Sequence, residues 1–246
     1  MEISKLNNNI TPSGTMAISN KARILKEQGK PVIGFGAGEP DFPTPSHVIE
    51  EVKIASENPA YHKYTAVGGL PILRDEISRT TKKYSNFEID PDNVVVTNGG
   101  KQAILTTFMS LLDPGDEVLI PSPYWTTYPE AVKISGGDPI VVDTDFENDF
   151  KVTVEQLEEK ITEKTKVLVW VSPSNPTGVV YSKEEAEEIY NWAFDKNIWI
   201  LSDELYEHLV YEGVTSPSPA TIDKNLEKTI VVNGVAKAYS MTGWRV

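Results

Sequence analysis

Chemically reactive side chains stand directly after several short apolar stretches of this chain. The stretch IWILSD ends on Asp203, and TIVVNG is followed by Lys237. An amine can act as a nucleophile or a base, and a carboxylate can stabilise a neighbouring cation. Tyr206 and Asn175 add hydrogen-bond donors, and Arg245 adds a planar group that binds phosphate through two hydrogen bonds. Together these residue types indicate covalent chemistry on a compound that carries phosphate.

A second set of residues could bind an anion and a flat ring. Gly99, Gly100 and Lys101 follow the stretch NVVVTN, where a helical pattern begins. The free N–H groups and the dipole at a helix N-terminus favour an anion such as phosphate. Trp125 follows DEVLIP and offers a flat surface for stacking.

An alternation of apolar strands with helical patterns must position these residues. We predict strands at residues 93–98, 116–121, 138–143, 166–171, 198–203 and 229–234. Between the fourth and the fifth lies SKEEAEEIYNWAFDKN, a helical pattern in which Ser182 and Glu185 have capping-box spacing. Such alternation predicts an α/β fold with a mostly parallel sheet flanked by helices. Ligands of parallel sheets bind at the carboxyl ends of the strands, so we expect the reactive side chains to converge there.

The combined residue types match the needs of one cofactor, pyridoxal 5'-phosphate (PLP). Its aldehyde requires a lysine amine for a Schiff base, and Lys237 provides one. Its pyridine nitrogen must stay protonated so that the ring can accept electrons, and Asp203 suits that role. Arg245 would bind the phosphate, while Asn175 and Tyr206 would donate hydrogen bonds to the ring oxygen.

Seven motifs in order closely resemble those of the class I/II PLP-dependent aminotransferases, and in particular the bacterial type of aspartate aminotransferase. They are GAGEPDFPTP, KYTAVGG, TNGGKQAI, PSPYWTTYPE, SPSNPTG, SDELYEHLVY and NGVAKAYSMTGWR. The resemblance runs from about residue 11 to the last residue. It implies a PLP-transferase fold, with residues 1–45 as an N-terminal arm and part of a small domain. Residues 46–246 would form the PLP-binding large domain.

The resemblance also implies roles for single residues. Lys237 matches the catalytic lysine of the Schiff base, Asp203 the partner of the pyridine nitrogen, and Arg245 the phosphate arginine. Tyr206 and Asn175 match the donors to the ring hydroxyl.

Other matches concern phosphate, substrate and assembly. Gly99, Gly100 and Lys101 match the turn that cradles the phosphate. Trp125 matches the ring that stacks on the cofactor, and Gly38 matches a backbone contact to substrate. Tyr64 matches a tyrosine that reaches the phosphate of the neighbouring subunit, which implies a homodimer with shared active sites.

The substrate implied by the resemblance is a dicarboxylic amino acid. The residue that matches Lys101 meets the distal carboxylate, near the segment that holds Ser13 and Thr15, and Trp125 and Asn175 also line the substrate site. This favours aspartate and 2-oxoglutarate as substrates, with oxaloacetate and glutamate as products. Aminotransferases for aromatic amino acids, prephenate and alanine share most of these motifs, so the specificity stays open.

The sequence departs from the family pattern in two places. Ala236 stands where many relatives have a serine before the lysine. Family members also continue beyond GWRV, with the arginine that binds the substrate α-carboxylate. A catalytically impaired fragment or PLP-binding module is therefore an alternative, as is a PLP lyase or synthase on the same scaffold.

Composition excludes several other classes of function. The formal net charge of −13 repels nucleic acid and anionic membranes. The absence of cysteine excludes thiolate catalysis, and the three histidines lack the spacing of metal ligands, so we expect no metal site. The N-terminus has no apolar signal region, and we expect a cytoplasmic protein that acts on small amino acids and 2-oxo acids.

Overall fold

The computed structural model describes residue 4 and residues 10–36, 38–211, 213–223 and 226–246. The α-helices of these residues are Gly14–Glu27 (α1), Ser46–Ser56 (α2), Pro71–Tyr84 (α3), Gly100–Leu111 (α4), Thr127–Ile134 (α5), Val154–Glu158 (α6), Lys183–Asp195 (α7) and Val235–Ala238 (α8). The strands are Glu117–Pro121 (β1), Asp138–Val142 (β2), Thr165–Val171 (β3), Trp199–Asp203 (β4) and Thr229–Val232 (β5). Short 3-10 turns cover Pro59–His62, Pro91–Asn93 and Pro219–Thr221.

The strands form one parallel sheet in the order β2-β1-β3-β4-β5. The α/β fold with a parallel sheet flanked by helices is thereby confirmed. Each crossover between neighbouring parallel strands needs a long connection, and α7 supplies the one between β3 and β4. All carboxyl ends of the strands therefore face one edge of the sheet.

Both faces of the sheet are buried under helices. Leu168 and Trp170 of β3 pack with α6 and α7, whereas Val167 and Val169 pack on the opposite face with α4 and α5. Successive side chains of a strand point to opposite faces, so a nearly unbroken apolar run fills two layers at once. Each fully buried side chain of this size contributes roughly 1.5–3 kcal/mol to the free energy of folding.

The start of α7 is fixed by the capping box that its sequence predicts. Ser182 Oγ accepts a hydrogen bond from the Glu185 amide at 3.1 Å, and the Ser182 amide donates to Glu185 Oε2 at 2.6 Å. Lys151 also pairs with Glu185 at 2.8 Å. These contacts set where the helix begins and so how the chain returns to β4.

The predicted strand at 93–98 is wrong. Residues 94–97 follow a 3-10 turn as irregular backbone outside the sheet. The Val96 amide donates to the Gly68 carbonyl at 2.9 Å, which is a single hydrogen bond and not a strand ladder. The apolar residues of this stretch satisfied the sequence pattern, but a strand also requires a neighbour that pairs over its length.

The first ninety residues hold helices with little buried surface. None of the residues described in α1, α2 and α3 is buried. The Gly/Pro-rich stretch between α1 and α2 forms no helix or strand in its described part, as its composition predicts. The division of the chain at residues 45 and 46 stays a prediction, and several residues of the first part lie outside those described.

Candidate active site

Lys237 lies in α8, the short helix that follows β5, and its side chain is half-buried. Its Nζ atom donates a hydrogen bond to the Gly38 carbonyl at 2.5 Å and lies 5.7 Å from the centre of the Tyr206 ring. Burial lowers the pKa of the Lys237 amine, and the negative charge of Glu39 opposes part of this shift. A lysine with a lowered pKa has a larger neutral fraction, which is the form that acts as nucleophile or base.

Asp203 is the last residue of β4 and is only 2% exposed. Its Oδ2 atom accepts a hydrogen bond from the Tyr128 hydroxyl at 2.6 Å, and its Oδ1 atom accepts one from the Leu205 amide at 3.3 Å. Burial raises the pKa of Asp203, and the two hydrogen bonds act in the opposite direction. The residue is thus a buried acid whose charged form has two donors.

Tyr206 and Asn175 approach each other from the ends of β4 and β3. Asn175 Nδ2 donates to the Tyr206 hydroxyl at 3.4 Å. Burial raises the pKa of Tyr206, and the charge of Asp203 adds to this effect. The Tyr206 hydroxyl therefore keeps its proton at neutral pH and can donate a hydrogen bond to a ligand.

Gly99 forms a tight turn at the N-terminus of α4, next to Arg245. Gly99 is buried and has φ +73°, a conformation that other residues rarely adopt. A Cβ atom here would clash with the Arg245 guanidinium, whose Cζ atom would lie 3.0 Å away. Arg245 Nη1 donates to the Thr242 carbonyl at 2.8 Å, and Nη2 donates to the Asn98 carbonyl at 3.3 Å. The guanidinium is held against the helix N-terminus that starts at Gly100, so two features that favour an anion coincide.

Lys101, in the first turn of α4, lies next to Trp125. Lys101 Nζ donates to Thr127 Oγ1 at 3.0 Å and lies 5.0 Å from the centre of a Trp125 ring. Trp125 also makes an edge contact with Tyr128, at 5.6 Å between ring centres. A cation and a flat ring are therefore adjacent at the carboxyl end of β1.

Three residues predicted for the site, Ser13, Thr15 and Tyr64, lie apart from the side chains described above. Ser13 caps α1, where its Oγ accepts from the Met16 amide at 3.4 Å, and Thr15 is exposed in the first turn of that helix. In the ranges that the structure describes, neither forms a hydrogen bond to Lys101. Tyr64 is fully exposed. By contrast, Gly38 does reach the group through its carbonyl contact with Lys237.

Sequence reasoning missed several residues near the predicted ones, among them Tyr128, which donates to Asp203, Thr127, which accepts from Lys101, and Glu39, whose charge acts on Lys237. Tyr128 was detectable in principle, because it follows Trp125 by three residues where a helix begins and so shares its face. Glu39 lies in an irregular loop, where no pattern predicts which strand end it will approach. Thr242 Oγ1 donates to Glu39 Oε2 at 3.1 Å, a contact across about two hundred residues of chain.

The arrangement fits the predicted cofactor on two observations. In the described part of the chain, no lysine, arginine or histidine forms an ion pair with Asp203. A buried carboxylate is costly without a cationic partner, so the site suits a ligand with a protonated nitrogen. The Gly99 turn has no room for a side chain beside the Arg245 guanidinium, which suits close approach of a phosphate to backbone.

The described residues form neither a metal cluster nor a membrane-spanning helix. Among the residues described, no group of three or more histidine, aspartate and glutamate side chains could hold a metal ion. None of the described helices has the length and the apolar character needed to cross a membrane.

Comparison with known proteins gives consistent matches over nearly the whole chain. The family model described as "Aminotransferase class I and II" matches residues 30–246. An aspartate aminotransferase of Streptomyces avermitilis is 55% identical over 238 residues, which cover 96% of this chain and 58% of that protein. An aspartate aminotransferase of Bacillus subtilis is 47% identical over an alignment of 247 positions, which covers 100% of this chain and 63% of that protein.

The fold has a matching solved structure. Aspartate aminotransferase from Thermus thermophilus with maleate superposes with a TM-score of 0.93 at 42% identity, covering 100% of this chain and 63% of that one. The chain thus spans 58% to 63% of the length of the proteins named here.

Proposed function

Since this chain belongs to the class I and II aminotransferases, we propose that the protein catalyses PLP-dependent transamination between an amino acid and a 2-oxo acid. The proposed pair is aspartate with 2-oxoglutarate, which gives oxaloacetate and glutamate. The observation that carries the proposal is the convergence of Lys237, Asp203, Tyr206 and Arg245 on one edge of the sheet. A cytoplasmic location is part of the proposal.

The residues divide the binding of the cofactor among them. Arg245 and the turn at Gly99 and Gly100 would hold the phosphate, and Trp125 would stack on the ring. Asp203 would pair with the ring nitrogen, while Tyr206 and Asn175 would donate to the ring hydroxyl. When bound, PLP supplies an aldehyde that accepts the substrate amine and a protonated ring that withdraws electrons from the α-carbon.

Lys237 would carry the proton during the reaction. Its Nζ atom would hold the cofactor and, once free as a neutral amine, would accept the proton from the substrate α-carbon. The same atom would then donate that proton to the carbon of the cofactor that carries the amino group, which leaves the substrate ready for release by water as the 2-oxo acid. Burial favours this role because it lowers the pKa of the amine.

A dicarboxylic substrate is supported by Lys101 and by one solved relative. The net charge of −13 repels an anionic substrate from the protein as a whole. Lys101 places a positive charge beside Trp125 and would attract such a substrate locally. The Thermus thermophilus structure carries maleate, a dicarboxylate. We extend the proposal to a homodimer in which Tyr64, exposed in the single chain, contacts the phosphate bound by the partner subunit.

The test separates cofactor capture from turnover. Purified protein mixed with PLP should develop a visible absorbance band. Reduction with borohydride should then attach the cofactor permanently to Lys237, and mass spectrometry of the peptides should find it on that residue. Lys237→Ala should remove the fixed cofactor and lower transamination by several orders of magnitude, because the amine that binds PLP and moves the proton is gone. Lys164→Ala, at the opposite edge of the sheet before β3, is the matched control.

The assay then addresses specificity and reaction type. Aspartate, alanine and phenylalanine are compared as amino donors with 2-oxoglutarate, and amino-acid and oxo-acid products are counted. Equal amounts of both products with ping-pong kinetics support transamination, whereas elimination products support a lyase. An absorbance band without turnover would show that the chain binds the cofactor but does not catalyse the reaction. If no cofactor were attached to Lys237, the proposal would be overturned.

A further inference from the structure

Tyr128 is a buried tyrosine whose hydroxyl points at the carboxylate of Asp203. Its side chain is 1% exposed, and its hydroxyl donates to Asp203 Oδ2 at 2.6 Å. Burial and the charge of Asp203 raise the pKa of Tyr128 well above its ordinary value, so the phenol keeps its proton and stays a donor. The direction of this hydrogen bond is therefore fixed.

The hydrogen bond from Tyr128 stabilises the charged form of Asp203, which burial destabilises. Burial favours the neutral form of this carboxyl group, while the Tyr128 hydroxyl and the Leu205 amide favour the anion. The Leu205 contact is long, at 3.3 Å, so the tyrosine supplies the shorter of the two donors. A hydrogen bond to a charged group is roughly twice as strong as one between neutral groups.

We propose that Tyr128 is a positioning residue that keeps Asp203 ionised and turned towards the nitrogen of the cofactor ring. The proposal rests on the proposed function, because it assigns Asp203 to that nitrogen. Tyr128 occupies Oδ2 and leaves Oδ1 to the ligand, because the hydrogen bond that Oδ1 accepts among the described residues is the long one from the Leu205 amide. Its edge contact with Trp125 also connects the carboxylate to the stacking ring.

The chain offers a control for the loss of a buried phenol. Tyr190 is 0% exposed, and its hydroxyl donates to the Pro217 carbonyl at 3.2 Å. Tyr128→Phe and Tyr190→Phe each remove one buried hydroxyl and keep the ring. Only the first removes a donor from Asp203, so a difference between the two variants reports on the carboxylate.

The experiment reads the protonation of the ring nitrogen directly. Each protein is loaded with ¹⁵N-labelled PLP, and the ring nitrogen is followed by NMR from pH 6 to pH 9. We expect a protonated nitrogen in the wild type and in Tyr190→Phe. In Tyr128→Phe the signal should move towards that of a neutral pyridine, because Asp203 retains the proton, and PLP should bind roughly tenfold more weakly.

Each outcome has a separate meaning. If PLP binds Lys237 and Tyr128→Phe matches the wild type in ring protonation and PLP affinity, the inference is overturned while the proposed function stands. If the wild type does not capture PLP on Lys237, the proposed function itself fails. Should Tyr128→Phe not fold, 3-fluorotyrosine at position 128 provides a more acidic phenol of the same shape. PLP should then dissociate more slowly than from the wild type, and an unchanged dissociation rate would contradict the inference.

Discussion

Asp203 and Glu204 are consecutive buried acids that the fold supplies with different partners. Asp203 accepts from Tyr128 on the α5 side of the sheet. Glu204 Oε1 accepts from Ser202 at 2.8 Å and from Ser218 at 2.6 Å. Neighbouring side chains of a strand point to opposite faces, so one acid reaches the candidate site and the other the core behind it. Adjacent carboxyl groups therefore lie in different surroundings.

Because Glu204 is a buried carboxyl group, we expect it to make the stability of the protein depend on pH. Burial raises the pKa of Glu204 from 4.5 to about 7. Between these values the folded state holds a proton that the unfolded state has lost, so this residue lowers the free energy of unfolding as pH rises. Glu204→Gln should remove that loss, which is about 3 kcal/mol at most above pH 7. Urea unfolding of both proteins at pH values from 4 to 8 measures the difference.

A matched substitution separates this effect from general loss of charge. Glu159 is exposed, so Glu159→Gln removes one carboxylate from the surface and is the control for the loss of charge alone. The glutamine at 204 keeps an oxygen that can accept from both serines. If the stability difference between Glu204→Gln and the wild type were the same at every pH, titration of Glu204 in this window would be disproved.

At the scale of elements, the apolar runs of β1 to β5 were sufficient to predict the sheet. Their β-branched residues bury both faces, and the capping box at Ser182 marked the start of α7. Residues 93–98 carry the same type of apolar run but lack a pairing strand. Periodicity describes how a segment would bury its side chains, whereas pairing depends on chain far away in sequence.

The same limit applies to the candidate site. Residues that follow strands, such as Asp203 and Lys237, could be predicted because parallel strands end at a common edge. Glu39 reaches Thr242 from an irregular loop, and no local pattern predicts that approach. Tyr128 is an intermediate case: it lies three residues after the predicted Trp125, but its contact with Asp203 depends on how α5 packs against β4.

The turn between residue 98 and α4 leaves space for the Arg245 guanidinium because Gly99 has no side chain. Gly99→Ala should weaken PLP binding by at least roughly tenfold, because the new Cβ would displace the Arg245 guanidinium from the helix N-terminus. Arg245 would then no longer place two hydrogen bonds on the phosphate. Titration of the apoprotein with PLP, followed by absorbance, measures the dissociation constant.

Gly115→Ala is the control for backbone strain in this experiment. Gly115 also has a positive φ, +92°, but nothing lies within 4 Å of a Cβ placed there. It precedes β1 and so lies at the opposite edge of the sheet. Both variants should lose stability through strain, and only Gly99→Ala should lose PLP affinity. Equal PLP affinity in the two variants would show that the Gly99 turn does not bind the phosphate.

At the scale of the whole molecule, the N-terminal third exposes much apolar surface. Several large apolar side chains in this part are more than half exposed, among them Ile33, Phe35, Phe42, Tyr64, Val67 and Ile72. Exposed apolar surface of this extent is typical of a protein interface. It supports the proposed homodimer, in which Tyr64 of one subunit would complete the phosphate site of the other.

Mixed dimers can test whether Tyr64 acts across that interface. Lys237→Ala should fail to bind PLP covalently, and Tyr64→Phe should need more PLP because it lacks the phosphate contact. When the two variants are unfolded together and refolded as an equal mixture, about one quarter of the sites should combine Lys237 from one subunit with Tyr64 from the other. At limiting PLP, covalent cofactor on Lys237 should therefore rise above the mean of the two separately refolded variants. If Tyr64 served its own subunit, each mixed dimer would keep one defect in every site, and the mixture would show no gain.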